Sequence, residues 1–119
     1  MRITYKTGAD LITQAFNGTQ IGLFDVNQNE LSGNGYSRQT FPGFTYLNED
    51  NTTFYYVNSN TIIFPVATAN WSDVYYIGLI SNNQVALLIS LPSPATVRTG
   101  QQLIFLAGMI EFQIPKQIT

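Results

Sequence analysis

The chain has 119 residues, a one-domain length, with 45% hydrophobic residues and a formal net charge of −2. It contains no His and no Cys, which excludes zinc centres, thiol chemistry and the Ser–His triad. Five basic residues against seven acidic, with no basic cluster, exclude duplex nucleic acid as a partner. Charged residues make up only 10%, against ~25% in an ordinary domain, and Asn, Gln, Ser and Thr fill the gap. Hydrophobicity is ordinary and net charge small, so the chain is expected to fold. No apolar run is long enough to cross a bilayer, and MRITYKTGADLITQ lacks the uninterrupted apolar core of a signal peptide.

In chain order, residues 1–9 read as an N-terminal arm and 10–17 as one short helix. Thr7 or Asp10 can cap it, and Leu11, Ile12, Ala15 and Phe16 fall at helix-face spacing. Asn17-Gly18 supplies the stop, because both tolerate left-handed backbone angles. From there the pattern is β, with Gln20–Val26 as a strand and a turn at residues 27–30. A Gly-rich loop follows at Ser32–Gly35, and Tyr36–Phe41 is extended up to Pro42-Gly43. Phe44–Leu47 is a brief strand before the polar loop Asn48–Asn51. Thr53–Val57 and Thr61–Phe64 then bracket Asn58-Ser59-Asn60, which reads as a hairpin.

The second half is more regular. Trp71–Ile80 is a long β run, Asn82-Asn83 turns it into Gln84–Leu91, and Pro92 and Pro94 break that strand. Short strands at Ala95–Arg98, Gln102–Leu106 and Met109–Ile114 complete the chain. Turn signals every 8 to 12 residues predict a mainly β fold, an antiparallel β-sandwich or jelly-roll-like barrel with one short N-terminal helix. The whole reads as a single domain over 1–119, with its β-domain over 20–114. Val85–Ile89 is apolar at every position, so it is either a central strand covered on both faces or one with a face buried in a partner subunit.

Two blocks, NELSGNGYSRQTF from Asn29 and Thr61–Ile114 with Ile63-Phe64-Pro65-Val66-Ala67-Thr68 and Trp71, resemble a family of small bacteriophage virion proteins. These are of the tail-fibre or head-decoration type. The resemblance runs over roughly residues 20–114. The chain departs from the pattern at Ser72 and in the short Asn82-Asn83 turn. The resemblance implies a virion location, on the capsid surface or on the tail, and a structural protein rather than an enzyme. Its partners would be the major capsid protein or neighbouring virion proteins, together with its own copies in a homo-oligomer, expected as a trimer. The leading expectation is a capsid decoration, or cement, protein that stabilises the assembled shell. The alternative is a tail-fibre or baseplate component that binds host glycans.

The residues themselves offer few chemical sites. Gly33-x-Gly35 is followed by an extended stretch rather than a helix, so it reads as a structural turn and not a phosphate loop. The spacing of Glu49 and Asp50 matches no EF-hand, and the carboxylates Asp25, Glu30 and Asp73 cannot be paired from sequence, so a glycosidase dyad stays open without positive support. No catalytic residue, metal ligand or cofactor is expected. Tyr36, Arg38, Trp71, Tyr75 and Tyr76 are the candidate interface or packing residues. Arg38 suits a carboxylate through its planar fork. The aromatic set, with Tyr55 and Tyr56, suits strand packing, protein contacts or sugar rings. Low charge fits a protein packed against neighbours, since interfaces are depleted in Lys and Glu.

Overall fold

The computed structural model describes residues 2–117. Its helix α1 spans Lys6–Gln14, four residues earlier than the spacing predicts. Neither Thr7 nor Asp10 caps it. Tyr5 occupies the N-cap position in an extended conformation, without a side-chain cap. The buried face is set by Ala9 and Thr13, one turn apart, while Leu11 is 65% exposed. Lys6 reaches Asp10 at 2.8 Å across the first turn. The helix also ends earlier than the expected stop at Asn17-Gly18: it closes at Gln14, and single turns carry the chain through Asn17 to Gly18, which takes φ 74°. The expectation of an N-terminal arm needs correction for the residues described. Ile3 exchanges backbone hydrogen bonds with Pro115 and Gln117, and Lys6 to Ala9 are helical. Met1, also assigned to that arm, lies outside the described residues.

The remaining elements are strands: β1 (Gln20–Phe24), β2 (Gln39–Thr40), β3 (Phe44–Glu49), β4 (Thr53–Asn58), β5 (Ile62–Ile63), β6 (Val74–Ser81), β7 (Gln84–Ala95), β8 (Ile104–Phe105) and β9 (Glu111–Pro115). The fold is mainly β, with antiparallel sheets and one short helix, consistent with the expected β-sandwich class. Backbone contacts group the chain into two compact units that interleave in sequence. One runs up to Gly18, then Pro42–Thr61, then from Phe105 on. The other comprises Thr19–Phe41 and Ile62–Ile104.

In the first unit, β3, β4 and β9 form a sheet in that order. Phe54 lies opposite Ile114, and Tyr56 opposite Phe112. Phe54, Tyr56 and Ile114 are buried with Ala9 of α1, and Ile3, Ile12, Phe44, Tyr46 and Phe112 pack around them. A short helix is marginal by itself, and this apolar face is what holds α1 in place. The expected hairpin through Asn58-Ser59-Asn60 does not form, because β4 pairs with β3 and β9 and not with β5. The Asn58 side chain explains the exit path. Its amide donates to the carbonyls of Asn60 and Leu106 (2.9 and 3.0 Å), and its oxygen accepts from the Ile110 N–H at 2.8 Å.

In the second unit the sheet order is β2-β1-β6-β7. Opposed pairs Ile21/Leu79 and Leu23/Ile77 are buried. Gly22 faces Gly78 across the pair, and both glycines are needed for close approach. A Cβ on Gly78 would strike the Phe24 ring, and one on Gly22 would meet Glu30, Tyr36 and Ile80. The Asn82-Asn83 turn is as expected, with φ 52° and 61°. Two other expectations change. The long run begins at Val74, leaving Trp71 in the preceding loop. β7 continues through Pro92 and Pro94 to Ala95. β7 is an edge strand, where prolines are tolerated because one side of the ladder needs no donor. The register also shifts there, between Val74 and Tyr76.

Candidate functional site

The densest polar arrangement lies in the second unit, and the Gly-rich loop builds it. Gly33 and Gly35 take φ 71° and 85°, angles open to glycine, and turn the chain back after Glu30. Tyr36 and Arg38 therefore return to the same carboxylate. Arg38 makes a forked contact with Glu30, Nε to Oε2 at 2.9 Å and Nη2 to Oε1 at 2.7 Å. Its Nη1 donates to Asn83 Oδ1 at 2.8 Å and to Gln20 Oε1 at 3.3 Å, so one guanidinium ties β1 and the β6–β7 turn to the loop. The Tyr36 hydroxyl donates to Glu30 Oε2 and accepts from the Leu23 N–H at 3.0 Å. The Arg38 hydrogen bonds hold the Glu30 carboxyl below its usual range, with Tyr36 adding to the effect against partial burial. Burial, and then the Glu30 bond, push the Tyr36 phenol upward.

Trp71 anchors the other side of the loop. It is 7% exposed. Its Nε1–H donates to the Asn34 carbonyl at 2.8 Å, which also accepts from the Thr68 N–H. The Tyr36 ring meets Trp71 edge-on at 5.7 Å and stacks with Phe64 at 6.3 Å. A cleft of about 190 Å³ opens beside Trp71, bordered by Asp25, Glu30, Ser32, Asn34 and Asn70. Much of its polar lining is already committed. Asp25 Oδ1 accepts from the Asn27 and Asn29 N–H groups, and Asn70 Oδ1 accepts from the Thr99 N–H.

Of the five candidate residues, the structure brings together Tyr36, Arg38 and Trp71. Tyr75 and Tyr76 follow one another on β6 and so point to opposite faces of the sheet. They do not form one platform. Trp71 is packed rather than presented, and Tyr56 is 1% exposed in the first unit. Trp71 and Tyr56 thus take the packing role that the sequence also allows. Asp50 in the polar loop accepts from the Thr52 and Thr53 N–H groups, which, with the Tyr55 hydroxyl, hold its carboxyl at about 2. It shapes the β3–β4 turn. The residue that sequence reading left unassigned is Glu30. Its spacing to Tyr36 and Arg38, on either side of two glycines, is the signal that joins them.

Because Glu30 titrates lower in the folded chain than in the unfolded one, its contacts contribute full stability above the ordinary carboxylate value near 4.5. That contribution is lost as pH falls through the lowered folded value. Denaturant midpoints at pH 7 and pH 3 should show the loss, and Glu30→Gln should make it shallower. An unaltered slope would assign the acid sensitivity to Asp10, Glu49 and Asp50, which are also held low.

A family model described as Podophage GP4 fiber I protein gp80 matches residues 14–113. No curated protein and no solved structure matches the chain.

Proposed function

From the premise that this chain belongs to the Podophage GP4 fiber I protein gp80 family, and is thereby a virion structural protein, we propose that it is a non-enzymatic building unit of the tail fibre. The match over residues 14–113 carries this reading, since it takes in β1 to β8, most of β9 and the Glu30–Tyr36–Arg38 network. The match supports the fibre alternative over the capsid-decoration reading, because the family is described as a fibre protein and nothing in it refers to the shell.

The chemistry of the network favours a scaffold. Both Glu30 oxygens are taken by Arg38 and Tyr36, and the guanidinium is spread over three partners. A carboxylate acting as general acid needs a raised pKa, whereas the Arg38 hydrogen bonds lower this one. The partners are other virion proteins, contacted through a surface poor in charge, and further copies of the same chain. Contacts of this kind vary little with salt, since screening acts on charges.

Gold-labelled antibody against the chain, viewed on intact particles, tests the location. Label at the tail with a small copy number per particle is expected. Label over the head shell, with copies in a simple ratio to the major capsid protein, would restore the decoration reading.

A further inference from the structure

We propose that the open edge of β7 pairs antiparallel with β7 of a second copy of this chain, centred near Leu88. Strand β7 is the longest strand described and lies at the end of its sheet, bonded to β6 on one side. Its composition is that of an interior strand. β1 and β6, with comparable apolar runs, are buried at four of five and five of eight positions. No residue of β7 is buried, Val85 is 50% exposed, and Leu87, Leu88, Ile89 and Leu91 are half-buried. The apolar run that the sequence assigns to a covered strand thus stands uncovered in the chain by itself.

Edge strands that stay solitary are blunted by shortness, charge, prolines or bulges, and β7 carries the last two only outside Leu87–Ser90. β2, at the opposite edge of the same sheet, has two residues. β7 has twelve, with no charged side chain from Gln84 to Ala95. Neutrality selects the occupant. A charged edge meeting its own copy sets like charges opposite one another, and this edge has none to oppose. Around Leu88 the strand is also self-matching. A twofold axis there sets Leu87 against Ile89 and Ala86 against Ser90, large on large and small on small.

The extent is limited. Register shifts near Ala86 and beyond Ser90, followed by Pro92 and Pro94, confine the regular edge to about five residues, roughly 17 Å. The area covered falls well below the ~800 Å² per partner of a stable interface. The pairing is therefore weak between free chains and becomes populated where copies are held close together. It stands on the strand itself and not on the fibre assignment.

The absence of Cys makes the test direct. In the full chain, Leu88→Cys places each thiol opposite its own copy, at the ~4.5–5.5 Å Cα spacing of an antiparallel pair, within disulfide reach. Val85→Cys, at a more exposed position that would react the faster of the two without pairing, would meet its copy about 20 Å away. At high protein concentration under mild oxidation, Leu88→Cys should form dimer about tenfold faster or more than Val85→Cys. Excess unmodified chain should slow it. Equal rates at the two positions would overturn the proposal. So would an absence of dimer from a Leu88→Cys chain whose circular dichroism matches the parent.

Discussion

Trp71→Ala should lower the unfolding free energy by about 3–5 kcal/mol, the range for removing a large buried aromatic. The indole is 7% exposed, so nearly its whole apolar area returns to a cavity. Two further losses come with it. The edge-on contact with Tyr36 disappears, and the Asn34 carbonyl loses the indole N–H as a donor. That carbonyl retains the Thr68 N–H, which limits the penalty of leaving it unsatisfied. Trp71→Phe separates the terms. It keeps most of the ring and loses the hydrogen bond, so it should cost well under half as much. Urea midpoints of the three proteins check this. A change below roughly 1 kcal/mol in Trp71→Ala would place the ring on the surface instead.

Asn58→Ala should destabilise by a comparable amount through a different mechanism. Asn58 is 1% exposed, and its side chain makes three hydrogen bonds to main chain at Asn60, Leu106 and Ile110. Truncation deprives two carbonyls and one N–H of a partner, at about 1–3 kcal/mol for each group that finds no replacement. The Asn58→Asp variant distinguishes hydrogen bonding from volume. It is nearly isosteric and keeps the acceptor for Ile110. It loses both donors and brings a carboxylate into a buried site facing two carbonyls. Its stability should therefore fall steeply with rising pH, as the new carboxyl ionises, whereas the deficit of Asn58→Ala should vary little. Denaturation across pH 4 to 8 is the measurement, with the parent chain as reference.

Local chemistry was legible in the sequence, and distant pairing was not. The Asn82-Asn83 turn is set by residues that accept left-handed angles and stands where the sequence puts it, and Gly18 takes the left-handed angle expected of it although the helix has already ended at Gln14. The helix was misplaced because its buried face is made by Ala9 and Thr13, small residues that leave a faint hydrophobic signal, while Leu11 misleads by facing out. The false hairpin at Asn58 arises from two neighbouring β patterns, of which β4 pairs with the preceding β3 and the distant β9, and β5 with the distant β8. Nothing in either segment announces a partner some fifty residues away. Prolines in β7 signal a strand end, because an edge position cannot be known before the sheet order is. Arg38 was read as a residue for pairing with a carboxylate. Which carboxylate depended on how tightly two glycines fold the loop.

The interleaving of the two units bears on how the chain is made. Every segment of the second unit has been synthesised by residue 104. The first unit has its helix from the outset, yet β4 waits for β9, whose residues come last. The most recently made residues of a nascent chain are still enclosed by the ribosome, so neither sheet is complete until its last strand has emerged. β7 emerges before β9, and the β2-β1-β6-β7 sheet can close while Phe54 and Tyr56 still lack one of their flanking strands. That interval, rather than the finished fold, is when the protein has most need of a holding factor or of prompt assembly with its neighbours.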